Sequence, residues 1–235
     1  MNWMIMAAAS LIPSLVLVVL FVRKDRFPEP THMILKTFFL GVLIVNPILL
    51  AEFAVQEAFS GLVDPVAQAF VQAFLVAALC EEAFKFLVLH KFCATKPDFD
   101  EPMDAVVYGA VASLGFATLE NILYVVEGGM DVALVRAITA VPAHACFGAL
   151  MGYFYAQTAF KGGGRKSLIL ALFVPFLAHG LYDLPLFLMS APSIADNDVA
   201  VLCLFVGFVA LVIWLMLRVR KIMRAMRQEQ DGLAP

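Results

Sequence analysis

Apolar residues run in seven long stretches along this chain, separated by short polar connections. The stretches cover about residues 3–22, 34–56, 66–90, 104–126, 134–158, 168–190 and 199–217. Each approaches or exceeds the roughly 20 mainly apolar residues that an α-helix needs to cross the hydrocarbon core of a bilayer. The connections carry turn residues, among them Pro28, Pro30, Gly61, Pro65, Pro97, Pro102, Gly128, Gly129 and Gly162 to Gly164. Such residues end helices and supply loops. No long linker, low-complexity tract or clear repeat divides the chain. The pattern predicts an all-α fold, a polytopic transmembrane helical bundle of about seven spans forming one domain over residues 1–235.

Composition narrows the class further. The chain is 63% hydrophobic and 15% charged, whereas a soluble domain carries about 25% charged residues. Mean hydropathy is +0.91. These values exclude a disordered chain, a coiled coil and a small disulfide scaffold. Cys80, Cys93, Cys146 and Cys203 are scattered without paired spacing, and three lie in apolar runs. Cysteine in such places acts as a small hydrophobe.

Charge gives an orientation. Basic residues follow the first stretch (Arg23, Lys24, Arg26), the third (Lys91, Lys96), the fifth (Lys161, Arg165, Lys166) and the seventh (Arg218, Arg220, Lys221, Arg224, Arg227). The alternate loops hold Asp64, Glu127, Asp131, Asp196 and Asp198, with Arg136 the one basic exception nearby. The positive-inside rule then places the N-terminus outside and the C-terminus in the cytoplasm. That needs an odd number of spans. The first stretch lacks a positive leader, and its charges follow the apolar run, which fits an uncleaved N-out anchor. The basic tail, 218–235, reads as a frayed cytoplasmic topology signal.

Polar groups inside the stretches carry the chemistry. A charge in a spanning helix costs about 2.5–3.5 kcal/mol on insertion scales and marks function by default. The candidates are Glu52, Glu81, Glu82, Lys85, Glu120, Asn121, His144, His179 and Asp183. Glu57, Asp104 and Arg136 read as boundary residues near span ends. Glu81 and Lys85 are four apart and share a helix face, as do His179 and Asp183. Two adjacent carboxylates and one ammonium do not cancel, which leaves one carboxylate for base chemistry. Counting about 1.5 Å per residue puts Glu81 roughly 13–20 Å, His179 roughly 18 Å, His144 roughly 21 Å and Glu120 roughly 24 Å from the cytoplasmic side. Four helices thus bring carboxylates and imidazoles to similar depth. Pro142, Pro175 and Pro185 flank this layer. Gly148 with Gly152, and Ala105 with Gly109, read as close-packing surfaces.

Two schemes suit this layer, and both hydrolyse a peptide bond without a covalent nucleophile. A Glu takes a proton from water while a His stabilises the oxyanion. Alternatively, His144, His179 and a carboxylate hold Zn²⁺ with an open position for water. The first, needing no cofactor, is favoured because Glu81 and Glu82 pair with Lys85. A proton-coupled transporter or channel built on the same layer is the alternative class. It lacks the inverted repeat expected of it. A pseudoprotease that binds membrane helices is a third.

The set Glu81-Glu82-x-x-Lys85, Phe116-x-x-x-Glu120-Asn121, His144 and His179-x-x-x-Asp183 resembles the motifs of PrsW-type intramembrane proteases. These sit with the CAAX prenyl endopeptidases in a wider group of glutamate-dependent membrane proteases. The resemblance covers about residues 75–190, within a motif-bearing core of about 66–190. It implies proteolysis of membrane-anchored proteins, such as the first cut in an anti-sigma factor of a stress response. It also implies a multi-pass protein of a bacterial-type inner membrane. Glu81 and Glu82 would activate water, with His179 and His144 at the oxyanion or metal, and Glu120 and Asp183 completing the site beside Lys85 and Asn121. Phe86, Glu120 and Asp183 depart from the prenyl endopeptidase pattern, so a prenylated substrate is not implied. The implied partners are the bilayer and a membrane-anchored protein, with no nucleic acid.

Overall fold

A computed structural model describes residues 3–233. The outermost ends of the predicted domain and tail, residues 1, 2, 234 and 235, lie outside the described residues. The helices are α1 (Trp3–Val22), α2 (Thr31–Leu43), α3 (Val45–Ala58), α4 (Pro65–Phe70), α5 (Leu79–Leu87), α6 (Pro102–Ile138), α7 (Ala140–Phe160), α8 (Gly164–Ser190), α9 (Pro192–Ala195) and α10 (Asp198–Leu233). The chain is a helical membrane bundle. Met4–Val22, Thr31–Ala58, Pro102–Phe160, Gly164–Ser190 and Asp198–Gly232 are long and apolar enough to cross a membrane. The 59-residue stretch takes in two of the seven apolar runs. The run at 66–90 has a different build. It starts as α4, widens to a π-helix at Val71–Ala78, tightens to α5 and widens again at Val88–Phe92. Hydropathy has no separate signature for a π turn.

The first limb of α6 is the central post. Every residue from Met103 to Thr118 is buried, the state expected of a helix that is apolar all round. It packs against α7, α1 and α2. The outer helices turn apolar side chains outward instead, with Leu50 73%, Phe53 64% and Leu202 61% exposed.

The α6–α7 contact bears out the small-residue reading. A Cβ on Gly148 would strike the Gly109 carbonyl, and one on Gly152 the Ala105 carbonyl. Backbones approach this closely only where side chains are absent. Gly148→Val is expected to lose at least the ~1–3 kcal/mol typical of overpacking. A lower thermal midpoint in detergent, with loss of detergent-soluble protein, is the measurement.

Two boundaries differ from the sequence pattern. Gly129 (φ 74°, ψ −158°) breaks α6, in a region of backbone space that glycine alone enters cheaply. The fifth run, expected from about 134, becomes α7 from Ala140, after a break at Thr139 (φ −118°, ψ −74°). Pro142 therefore sits in the first turn of α7, where its missing N–H has no helical partner to lose. The C-terminal run is helical to Leu233 rather than frayed. Lys161 holds Glu229 at 2.6 Å, and Arg26 holds Asp231 at 2.6 Å. Gln230 Nε2 donates to Asp25 at 2.6 Å and to Glu101 at 2.5 Å. Among the described residues all four cysteines are free, with Cys80, Cys93 and Cys146 buried.

Candidate active site

The Glu81–Lys85 turn lies in the short α-helical length between the two π segments. Lys85 Nζ donates to Glu81 Oε2 at 2.9 Å and to Glu82 Oε1 at 2.8 Å. It also lies 3.1 Å from His144 Nδ1. A lysine has only donors, so His144 Nδ1 accepts and its Nε2–H points to Glu120 Oε2, 2.9 Å away. His179 Nδ1 meets Glu82 Oε1 at 2.9 Å, and its Nε2 meets Asp183 Oδ2 at 3.1 Å. Both nitrogens of that ring face carboxylates. The imidazole rings stand 5.2 Å apart, and Phe147 stacks on His179 at 4.8 Å. Phe116 lies under the ammonium, 4.2 Å from Lys85 Nζ. Glu81, Glu82, Lys85, His144 and His179 are all buried.

All eight residues singled out for the site fall in or beside this cluster. Asn121 is one step removed, donating to the Ser10 carbonyl at 3.2 Å. Arg136 is a correction. The span pattern makes it a boundary residue, yet it donates to Glu120 Oε2 at 2.7 Å and to Asn121 Oδ1 at 3.1 Å. Sixteen residues of straight helix would separate Arg136 from Glu120 by about 24 Å. The break at Gly129 returns the chain and closes that distance. The Gly128-Gly129 pair, followed by a lone Arg in an acidic loop, was the available signal. Asp104, read as a boundary residue, stands in the first turn of α6 and is buried there. Phe147 carries no sequence signal at all.

Glu52 now has a place. It lines a cavity of about 390 Å³ together with Gln56, Gln72, Glu81, Glu120, Tyr124 and Glu127. Glu81 therefore faces the cluster on one side and this cavity on the other.

The donor set also fits a metal ion. Glu81, Glu82, His144 and His179 each offer a ligand atom, all within 4.8 Å of one another. Both His Nδ1 atoms point inward, 4.0 and 3.9 Å from Glu81 Oε2. Each Nε2 is held from behind by a carboxylate, Glu120 or Asp183. Metal-binding histidines are oriented in this way. Glu82 Oε2 is buried without a hydrogen-bond partner among the described residues.

Arg136→Ala is expected to cost about 10–100-fold in activity, the usual loss when an outer partner of a site's ligands is removed, because Arg136 holds the Glu120 carboxylate that meets His144. Arg136→Lys should recover part of it. Cleavage rates of one membrane substrate by the three proteins are the check.

Fold and site together define a polytopic helical membrane protein with a carboxylate–imidazole centre sunk in its apolar interior. A sequence model described as PrsW family intramembrane metalloprotease matches residues 29–215. Protease PrsW of Geobacillus kaustophilus (strain HTA426) is 40% identical over 178 residues, 75% of this chain and 77% of that one. Protease PrsW of Bacillus subtilis (strain 168) is 39% identical over 189 residues, 79% of this chain and 83% of that one. No solved structure matches the chain. The chain belongs to the PrsW family of intramembrane metalloproteases. It is a multi-pass membrane protease acting on a protein substrate, which favours hydrolysis over the transporter alternative.

Proposed function

We propose that this protein cuts a membrane-anchored protein within or beside the bilayer, using water activated at the Glu81–Glu82–His144–His179 cluster. The observation that carries the reading is this buried cluster of acids and imidazoles, bordered by a cavity that Glu81 shares with Glu52 and Glu120. Glu81 is the group that water meets from the cavity, so Glu81 is assigned as general base. It takes a proton from water as the oxygen attacks the scissile carbonyl, and returns it to the leaving amine nitrogen. Glu82 lies behind it, held by Lys85 and His179, and keeps both side chains in place. For the developing oxyanion the inward donor is His179 Nδ1–H, exchanged from Glu82, whereas His144 Nδ1 accepts from Lys85 and offers no N–H there. Asp183 and Glu120 orient the two rings.

The family description and the donor set both favour a metal over the metal-free scheme. His144, His179 and Glu82 would hold it, with Lys85 giving up the His144 Nδ1 lone pair that it now meets at 3.1 Å. Bound there, Zn²⁺ would supply Lewis acidity and bring the pKa of its water to about 7. One Zn²⁺ per purified chain is expected, with activity lost to a chelator and restored by zinc. Activity that persists in metal-free protein returns the chemistry to Glu and His alone.

Seven spans with the N-terminus outside, in a bacterial inner membrane, complete the reading. An anti-sigma factor is the substrate class implied by the resemblance. Comparing membrane-protein fragments from cells carrying wild type and Glu81→Gln tests it. Fragments made only by wild type identify the substrate, and identical fragment sets reject the assignment.

A further inference from the structure

A second cluster of acids lies at the N-terminal end of α6, sixteen residues before Glu120. Asp25 and Glu29 come from the loop after α1, and Asp104 from the first turn of α6. Each offers an oxygen within 4.8 Å of the others. Asp25 is 5%, Glu29 9% and Asp104 0% exposed. Glu101 stands beside them, joined to Asp25 through Gln230 Nε2. None of these four carboxylates has a Lys, Arg or His partner among the described residues. The nearest basic side chain in sequence, Arg26, turns away to Asp231.

The oxygens divide into two kinds. Asp104 Oδ2 accepts from the N–H groups of Asp100 and Glu101 at 2.8 and 2.7 Å. Asp25 Oδ1 accepts from Phe27 N–H at 3.0 Å and from Gln230. Glu29 Oε2 accepts from the Tyr108 hydroxyl. These bonds orient the three carboxyls. Asp25 Oδ2 and Asp104 Oδ1 are left buried with no N–H or cationic partner, Asp104 lying in hydrogen-bond contact with the Glu29 carboxyl and Asp25 with that of Glu101. Burial with no counter-charge raises the Glu29 carboxyl above its usual range, and burial beside Asp104 pushes Glu101 up to about 7. Buried carboxylates are ordinarily paired with a cation or bound to a metal.

We propose that Asp25, Glu29 and Asp104 form a binding site for a hard divalent cation, Ca²⁺ or Mg²⁺, separate from the proteolytic centre. An all-oxygen donor set selects such ions over zinc, which prefers nitrogen and sulfur. The ion neutralises three carboxylates and supplies the cationic partner that these two oxygens lack. It also clips three parts of the chain together: the loop after α1, the start of α6 and, through Gln230, the end of α10.

Terbium, a hard-ion probe, tests the site in the full-length protein in detergent. The Tyr108 phenol touches Glu29 and serves as its antenna. Tyrosine-excited Tb³⁺ emission should saturate at one ion per chain and be displaced by Ca²⁺. Glu29→Gln and Asp25→Asn should each lose the emission. Tyr108→Phe should lose the emission yet keep a Ca²⁺-induced rise in thermal midpoint, which Glu29→Gln lacks. If either carboxamide variant fails to fold, Ca²⁺ displacement in wild type against Tyr108→Phe decides the matter. Emission unchanged by Glu29→Gln places the ion elsewhere and overturns the proposal. No binding near pH 7.5, with a midpoint that falls as pH rises, also overturns it, since the carboxyls then share protons. A zinc-binding wild type with no Ca²⁺ or Tb³⁺ response leaves the proteolytic reading standing and rejects this one.

Discussion

Glu81→Gln is expected to abolish cleavage, a loss of about 10²–10⁴-fold if the side chain acts only as general base. The amide keeps the volume of the carboxylate and still accepts from Lys85 Nζ, now 2.9 Å from Glu81 Oε2. It has no site for a proton taken from water. The protein should remain inserted, with a thermal midpoint close to wild type. Turnover of one purified substrate in liposomes is the measurement. Full activity in a well-folded Glu81→Ala, Glu82→Ala double variant would sink the assignment. Glu82→Gln separates the two acids. Glu82 holds Lys85 and His179 and does not line the cavity, so its loss should disturb stability as well as rate.

Lys85→Met is expected to cost about 3–5 kcal/mol, the usual penalty for stranding a buried charge. A total stability of about 5–15 kcal/mol leaves little margin for it. Lys85 is 1% exposed, and its ammonium touches Glu81, Glu82 and His144 Nδ1. Methionine matches its stem and removes its charge. Two carboxylates would then share an apolar site with only the His179 ring beside them in place of the ammonium. Thermal unfolding in detergent and protein level in membranes would register the loss. Combining Lys85→Met with Glu81→Gln and Glu82→Gln should restore much of the stability and none of the activity. That split separates a charge effect from a packing effect.

The sequence exposed the site more readily than its supports. Glu81, Glu82, Lys85, Glu120, His144, His179 and Asp183 stand out because charge is costly in an apolar run, and a count of rise per residue puts most of them at one depth. The same count misjudges Arg136. It assumes a chain that continues forward, and Gly129 turns it back. Glu52 was legible as anomalous and not as placed, since its cavity is built from α3, α6 and the π-helical segment. The C-terminal run looked frayed because its charges suggest solvent. Its helix is held by pairs to Arg26 and Lys161, more than sixty residues away in the chain. Composition cannot show such long-range partners.

The π segments on either side of α5 bear on how Glu81 and Glu82 are aimed. A π turn carries an additional residue relative to an α turn. Deleting one residue from Val71–Ala78 is therefore absorbed by a return to ordinary α-helix, with little change of phase and no break in the helix. The same deletion in regular α-helix, at Leu79 or Cys80, has no wide turn to relax and rotates one end against the other by about 100°. With the first end anchored, Glu81 then swings off the cavity while the helix stays continuous. The wide turn thus behaves as slack in a gear train, able to take up a lost residue before the acids turn.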